Sequence, residues 1–365
     1  LDYFAGRGWN VSGGAFATYP REGGPAPLDG NHANEYDGID NLNPNYPPKE
    51  MGLNNTRALP YYDLDSLMEY ARESSKDLSE IAIEYECRQL GLAPDAGLRE
   101  TIMAEVGAMR ASLDASARPF SRFGYSVTTP ETGNVIKTYM KLREARGNVA
   151  AEFLGNSFYD AASGSITAMT RNAFSELILA APTGGACGVL AGTYLALNRM
   201  LIGEGKMTAE EFESAAGRAL LVAGLLSAVL SNIVPPSGAE KGCQAETGTA
   251  AGMGAAFAAY ILGGNSEQVV NAMILAMKNS LGLVCDPIAG KVNTPCIKRN
   301  AFKSIEALLG AWLSLNGIVS FVSPGQVVKA MSQIGDDMSS RYRETSEGGL
   351  AKTIAGLKER ICRFS

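Results

Sequence analysis

The sequence predicts an all-α fold with an irregular N-terminal arm. From Asp63 onward, apolar residues recur at the three- and four-residue spacing of amphipathic helices. Two longer apolar segments, 219–230 and 249–264, are typical of buried core helices, and the second is rich in Gly and Ala. No segment shows a convincing strand pattern, and no internal repeat occurs. We therefore expect a helical catalytic domain over residues 61–365 and an arm or extension over residues 1–60.

Composition and charge exclude several classes of protein. The chain has 365 residues, 46% of them hydrophobic, and a net charge of −6 without a basic run, which argues against a nucleic-acid surface. Both apolar segments fall short of the ~20 residues of a membrane span, so no membrane partner is expected. Six cysteines without an N-terminal signal pattern fit a reducing cytoplasm. The single histidine, His32, excludes a histidine-rich metal site.

The first 60 residues show no apolar period and are rich in Gly, Pro and Asn. Their aromatic residues make an arm packed on another surface a better interpretation than full disorder. A lid over the active site is the alternative. Such an arm also suggests a homo-oligomer, for instance a dimer. The aromatic residues are Tyr3, Phe4, Trp9, Phe16 and Tyr19.

The helical spacing then predicts the elements in order. The first helix follows Asp63 or Asp65 as its cap and buries Leu64, Leu67, Met68 and Ala71. The second contains Cys87, which we interpret as a buried structural thiol. Residues 115–135 form a loop, and residues 180–189 form a glycine-rich turn that opens into a helix. The remaining helices are predicted over 78–87, 98–113, 161–178, 219–230, 249–264, 269–278, 303–315 and 326–336.

Three cysteines stand out because each lies within two residues of a glycine or proline near a predicted helix end. These are Cys243, Cys285 and Cys296. Nearby cations lower the pKa of a thiol, and thiolates bind iron–sulfur clusters. A [4Fe–4S] cluster normally takes four cysteines, so three would leave one iron open as a Lewis acid. The spacings of 41 and 10 residues are not those of compact metal motifs, so three inert core cysteines remain the alternative.

The segments around these cysteines carry a family resemblance. They read Ser237-Gly-Ala-Glu-Lys-Gly-Cys-Gln-Ala-Glu246, Leu281-Gly-Leu-Val-Cys-Asp-Pro287 and Pro295-Cys-Ile-Lys-Arg-Asn-Ala301. Together with segments 181–185 and 341–351, they resemble the α chain of the iron–sulfur L-serine dehydratases. The resemblance extends over roughly residues 63–351.

This resemblance implies an all-α catalytic domain that carries out β-elimination on L-serine or a serine-like amino acid. It implies a [4Fe–4S] cluster on Cys243, Cys285 and Cys296. The tail cysteine Cys362 is either a further ligand that caps the open iron or a cysteine placed on the tail by chance. No pyridoxal phosphate is expected, because no lysine has the sequence context for it. The substrate carboxylate would bind at the helix entry near Thr183, where backbone N–H groups favour anions. The substrate-binding candidates are Thr183, Gly184, Gly185, Ser237, Gly238, Arg299 and Asn300.

The general base is not fixed by the sequence. Lys278, Glu240 and Ser237 are the candidates, whereas Glu246 could act as a base or orient a cluster ligand. Lysines stand where relatives are neutral or acidic, at positions 241, 278, 291 and 298. They indicate either surface variation or a substrate more anionic than serine. Two further interpretations stay open: elimination from cysteine, and a non-catalytic family member that serves as a binding subunit.

Overall fold

The computed structural model describes residues 59–89, 96–118, 137–142, 155–174, 176–290 and 294–364. Residues 1–58, which make up nearly all of the predicted arm, and the loop at 119–135 lie outside these ranges. Within them no β-strand occurs, and the only β-type pairing is an isolated parallel bridge between Cys285 and Arg343. The all-α prediction is confirmed. The division at residue 60 stays a prediction.

The first three helices follow the predicted apolar spacing. Helix α1 begins after Asp63, whose carboxylate accepts from the Ser66 N–H at 2.9 Å in a reciprocal capping box. It buries the four residues named by its spacing, and it packs against two later helices, Ser266–Lys278 and Pro324–Asp337. The bounds of this group are α1 Leu64–Ser74, α2 Leu78–Gln89 and α3 Ala96–Ala117.

The next three helices place the glycine-rich turn. Helices α4 and α5 pack so closely that a side chain at Gly192 would overlap the Ala161 carbonyl oxygen. Glycine at this position therefore permits the contact. The predicted end of α4 at 178 is wrong: the Glu176 N–H bonds to the Arg171 carbonyl and closes the helix at Ala173. A 3₁₀ turn, Gly184–Ala186, leads into α5 as predicted. The bounds are α4 Asn156–Ala173, α5 Cys187–Gly203 and α6 Ala209–Ser231.

A buried pair of helices follows the first cysteine segment. Helix α7, Gly238–Lys241, precedes a π-helical turn, Gln244–Gly248, which runs directly into α8, Thr249–Ile261. Every residue of α8 except Tyr260 is buried, which explains its small, apolar composition. Helix α9, Ser266–Lys278, packs against α8 and ends where predicted.

Three helices complete the fold. Helix α10, Cys296–Leu315, begins seven residues earlier than predicted, so that the third cysteine is its first residue. Helix α11, Pro324–Asp337, is capped by Ser323. Helix α12, Ile354–Phe364, has no counterpart among the predicted elements and contains Cys362. Short 3₁₀ turns at Ile288–Gly290, Ser340–Tyr342 and Gly349–Lys352 join these elements.

Two stretches, Gly184–Gly203 and Ala209–Ser231, are long and apolar enough to cross a membrane by length and composition. In each, 72% of the apolar window is buried inside the protein. This burial is what core helices of a folded domain require, and it makes the stretches weak indicators of a membrane span.

Candidate functional site

Three buried cysteines come from three separate chain segments. Cys243 precedes the π-helical turn, Cys285 lies in the loop after α9, and Cys296 opens α10. Their exposed fractions are 0%, 2% and 4%. The fold therefore holds all three thiols inside the protein, as ligand residues or as core residues.

Cys243 and Cys285 meet at a carboxylate. Their Sγ atoms and one oxygen of Glu246 all lie within 4.8 Å of one another. Two glycines permit this approach: a Cβ at Gly238 would stand 2.7 Å from the Cys285 Sγ, and one at Gly185 would overlap the Glu246 carboxylate. Side chains at either position would close the site, which is a physical reason for glycine there.

Among the three thiols, Cys243 loses its proton most readily. A hydrogen bond from Cys285 and the positive charge of Arg299 lower the pKa of Cys243 to about 6, against the opposing effect of burial. The pKa of Cys285 is raised because it donates to Cys243 and is itself buried. Burial, and then the negative charge of Cys243, raise the pKa of Cys296. All three thiols are therefore electrostatically coupled.

Arg299 lies one turn into α10 and joins two of the cysteine segments. Its guanidinium donates to the Val284 carbonyl at 3.0 Å and to the Asp286 carboxylate at 3.3 Å. The same group lowers the pKa of Cys243, as described above. Arg299 thus contributes charge to the thiols while fixing the loop that carries Cys285.

The Cys285 loop is also held by the segment that follows α11. The Cys285 N–H donates to the Tyr342 carbonyl, and the Glu344 N–H donates to the Cys285 carbonyl, both at 2.8 Å. The Leu350 N–H donates to Asp286 Oδ2 at 2.8 Å. Through these bonds, segment 341–351 holds the loop that carries Cys285 in place.

Gln244 ties the first cysteine segment to the second. Its backbone N–H donates to the Leu283 carbonyl at 3.0 Å, and its side-chain oxygen accepts from the Gly282 N–H at 2.9 Å. Its amide group donates to the carbonyls of Lys241 and Met331 at 2.9 and 3.0 Å. A fully buried amide with this many partners fixes the separation of Cys243 and Cys285.

The predicted substrate turn lies against this group. The Thr183 hydroxyl donates to Glu246 Oε1 at 2.5 Å. Asn172 donates to the Gly184 carbonyl at 2.7 Å, and Asn300 donates to the Gly185 carbonyl at 2.9 Å. The turn from 183 to 185 is therefore held from α4, from α10 and from the π-helical turn.

Glu246 stands between the turn and the cysteines. It is partly buried, and it forms no ion pair with any residue of the described ranges. Burial, followed by the charge of Cys243, raises its pKa to about 8, although the bond from Thr183 opposes this. One carboxylate oxygen is bonded to Thr183, and the other faces Gly238 and the thiols.

Sequence comparison decides the family. A family model described as the serine dehydratase alpha chain matches residues 68–351, which is most of the chain. The chain belongs to this family. The resemblance inferred from the cysteine segments is confirmed.

Relatives from several bacteria agree with the family model. The chain is 39% identical over 224 residues to the probable L-serine dehydratase alpha chain of Bacillus subtilis, covering 61% of this chain and 70% of the relative. It is 41% identical over 186 residues to that of Latilactobacillus sakei, covering 51% and 85%. It is 30% identical over 295 residues to L-serine dehydratase 1 of Escherichia coli, covering 80% of this chain and 62% of that longer relative.

Cys243, Glu246 and Cys285 together could hold a metal ion, and Cys296 is not among the residues of this close group. The charge of Cys243 nevertheless acts on Cys296, Arg299 can balance the charge of bound thiolates, and glycines leave the space beside Cys285 clear of side chains. Thiolates are ligands of zinc and of iron–sulfur clusters. Cys187 lies in the same apolar cluster as Cys296, but its thiol lies against the Met169 sulfur at 3.5 Å, which fits a packing role for Cys187.

The remaining predicted site residues lie at helices α7, α9 and α12. Lys278 donates to the Ser320 hydroxyl at 3.0 Å. Ser237 precedes Gly238 at the start of helix α7, and Glu240 lies within that helix, where burial raises its pKa. Cys362 lies in α12, and its side chain falls outside the described residues.

The sequence did not single out three of the residues that build this candidate site. The Asn172 side chain donates to the Gly184 carbonyl, and the Gln244 side chain accepts from the Gly282 N–H in the loop before Cys285. The Asp286 carboxylate accepts from both the Arg299 guanidinium and the Leu350 N–H. Gln244 and Asp286 each follow a candidate cysteine directly. Their adjacency to cysteine was the available signal, whereas Asn172 offered none beyond its polarity on a helix.

Proposed function

We propose that the protein is a lyase that dehydrates and deaminates L-serine or a serine-like amino acid at an iron–sulfur site. The observation that carries this proposal is the meeting of Cys243, Cys285 and Glu246 beside the Thr183 turn in a chain of the serine dehydratase family. The relatives named L-serine dehydratase support the substrate.

Cys243, Cys285 and Cys296 would hold a [4Fe–4S] cluster, with Cys362 as the candidate fourth ligand. When bound, such a cluster with one iron free of cysteine supplies a Lewis acid for the leaving hydroxyl group. The protein's own contribution is to keep the thiols buried, to place Arg299 beside them and to exclude bulk water.

An amino-acid substrate carries both a carboxylate and an ammonium group, and the site offers an environment for each. The N-terminal turn before α5, at Thr183, Gly184 and Gly185, favours the carboxylate because unpaired N–H groups at helix starts attract anions. Glu246 is suited to the ammonium group, because a positive charge beside it lowers its raised pKa and leaves its second oxygen free to accept. Asn300 positions the turn through the Gly185 carbonyl.

The α proton needs an acceptor on the other side of the site. Gly238 borders the Cys285 thiol, with Ser237 directly before it and Glu240 two residues after it on helix α7. We favour this Ser237–Glu240 pair over Lys278, whose ammonium group already bonds to Ser320. Loss of the proton and of hydroxide yields an enamine, which tautomerises and takes up water to give a keto acid and ammonia.

The lysines do not favour an anionic substrate. Lys241 pairs with the Asp336 carboxylate and donates to the Ser332 carbonyl, and Lys278 is bonded to Ser320. Lys298 is exposed on α10, and residue 291 lies outside the described residues. Two of the four therefore have partners within the protein, which supports serine over a substrate with a second negative charge.

The test is anaerobic reconstitution with iron and sulfide, followed by measurement of keto acid and ammonia from L-serine, L-cysteine and an anionic β-substituted amino acid. We expect equal amounts of pyruvate and ammonia from serine, lost in Cys243→Ala. A protein that binds iron and sulfide through these cysteines but turns over none of the three would overturn the proposal and favour a binding subunit. Turnover of cysteine alone would reassign the leaving group.

A further inference from the structure

One side of helix α10 and the loop after it form a large exposed apolar surface, which we call the α10 face. Phe302 is 74% exposed, Trp312 is 60% exposed and Phe321 is fully exposed. Folded proteins seldom leave a contiguous patch of this kind uncovered. The members of the α10 face are Phe302, Leu309, Trp312, Ile318, Val319, Phe321 and Val322.

The α10 face belongs to firmly held elements. Asn271 of α9 donates to the Ile318 carbonyl at 2.8 Å and accepts from the Ser320 N–H at 2.9 Å. The opposite side of α10 is buried, and Gly310 allows it to approach α9 closely. The exposed side chains therefore cannot turn inward, because the interior side of the helix is already filled.

Helix α1, near the beginning of the described chain, is bonded to the end of this surface. Val322 is followed by Ser323, whose hydroxyl donates to the Asp65 carboxylate at 2.9 Å, and the Gly325 N–H donates to the same carboxylate at 3.0 Å. Leu59 is six residues before Asp65, so at most about 20 Å of extended chain separates them. The segment of 58 residues that precedes Leu59 is therefore tethered within about 20 Å of Asp65.

We propose that residues 1–58 of the same chain cover the α10 face. This segment carries aromatic side chains without an apolar period of its own, so it needs an external surface to bury them. Its attachment beside the face gives it an effective local concentration on the order of millimolar, which a second copy of the chain lacks at ordinary protein concentrations. The inference is independent of the proposed catalytic activity.

The chain has two tryptophans, Trp9 in the segment and Trp312 on the face, which makes the proposal measurable in the full-length protein. In Trp9→Phe, fluorescence reports on Trp312 alone. We expect acrylamide to quench it weakly, and quenching to rise severalfold when Tyr3, Phe4, Phe16 and Tyr19 are also changed to Ser. Equal quenching in both full-length variants would overturn the proposal, as would shielding that depends on protein concentration.

A reciprocal experiment perturbs the face instead of the segment. Phe302→Ser and Phe321→Ser together should increase the rate of trypsin cleavage at Arg7 and Arg21 severalfold, with the helical circular-dichroism signal unchanged. Leu177→Ser is the matched control, because Leu177 is 66% exposed and outside the α10 face. Cleavage at the same rate in the face variant and in the control would contradict the proposal.

Discussion

The side-chain amide of Asn300 donates to the backbone carbonyl of Gly185 at 2.9 Å, although the two residues are 115 positions apart. The same nitrogen donates to the Cys296 carbonyl at 2.9 Å, and the amide oxygen accepts from the Gly188 N–H at 3.1 Å. One buried amide therefore joins the helix that begins at a candidate cluster ligand to the turn proposed to bind substrate.

Asn300→Ala should lower the free energy of unfolding by about 3 kcal/mol, since it leaves buried backbone groups without partners. Urea unfolding measures this loss. Asn279→Ala is the control: it is exposed and makes one bond to the Leu275 carbonyl at the end of α9. Equal losses in the two variants would contradict the bridging role. Under the proposed function, the KM for serine should also rise in Asn300→Ala alone.

Cys243→Ser should abolish cluster binding while the protein stays folded. A hydroxyl is a poor iron ligand, and Cys243 carries the lowest thiol pKa of the site. Iron and sulfide analysis after anaerobic reconstitution, with the visible absorption of the cluster, measures the effect. Cys87→Ser is the matched control, because Cys87 is also buried but lies in α2. A full complement of iron in Cys243→Ser would refute the ligand assignment.

Thr183→Val should raise the KM for serine about tenfold, equivalent to about 1.4 kcal/mol. The change preserves shape but removes the hydroxyl that donates to Glu246, so the substrate turn loses one of its three attachments. Steady-state kinetics of the reconstituted enzyme separates KM from kcat. Thr101→Val serves as the control, because Thr101 is a half-buried threonine of α3 whose hydroxyl donates only to the Gly97 carbonyl one turn before it. An unchanged KM would show that the Thr183–Glu246 bond does not position substrate.

The pH dependence of stability should change in Glu86→Gln. Burial, with a smaller effect of Glu105, raises the pKa of Glu86 to about 7 from an ordinary value near 4.5. The folded state therefore binds the proton more tightly than the unfolded state, and this contribution is present below pH ~4.5 and lost as pH rises through 7.

We therefore expect Glu86→Gln to become more stable than the unaltered protein as pH rises from 4.5 to 8, by up to about 3 kcal/mol. Urea unfolding at several pH values measures the difference. Glu73→Gln controls for removal of an exposed carboxylate from a neighbouring helix. A difference between protein and variant that stays constant over this range would contradict the assignment.

Lys241→Ala should reduce stability by about 1 kcal/mol without altering substrate preference. Its ammonium group pairs with Asp336, and its stem packs against Gly335 on α11. Lys298→Ala, at an exposed position, should change neither property. The measurement is the ratio of kcat/KM for serine to that for an anionic analogue. A shift of that ratio in either variant would again favour an anionic substrate.

Much of the fold could be predicted because helical spacing is a local property. Asp63 as a cap, the buried side of α1 and the end of α9 at Lys278 follow from residues within one or two turns. The end of α4 at Ala173 could not be predicted, since nothing in the apolar pattern signals the closing bond from Glu176. The early start of α10 was hidden by the proline and the charged residues around Cys296.

The candidate site was predictable in its residue types but not in its contacts. Each cysteine segment could be recognised by itself, whereas the bonds between them depend on the packing of distant helices. Thr183 meets Glu246 across 63 positions, and Cys285 meets Tyr342 through backbone atoms alone. Backbone pairing of this kind does not depend on side-chain identity, so residue 342 carries no signal of it.

The π-helical turn at Gln244–Gly248 has a consequence for the length of this segment. A π turn contains one residue more than the equivalent α-helical stretch. Deleting Ala245 would remove the extra residue and allow a regular α-helix from Gln244 into α8, with the residues on either side of the turn kept close to their present orientation. In the regular helix of α8, by contrast, loss of one residue would rotate everything before it by about 100°. The segment that follows Cys243 can therefore lose one residue within the π turn, whereas a loss within α8 would turn Cys243 away from Cys285.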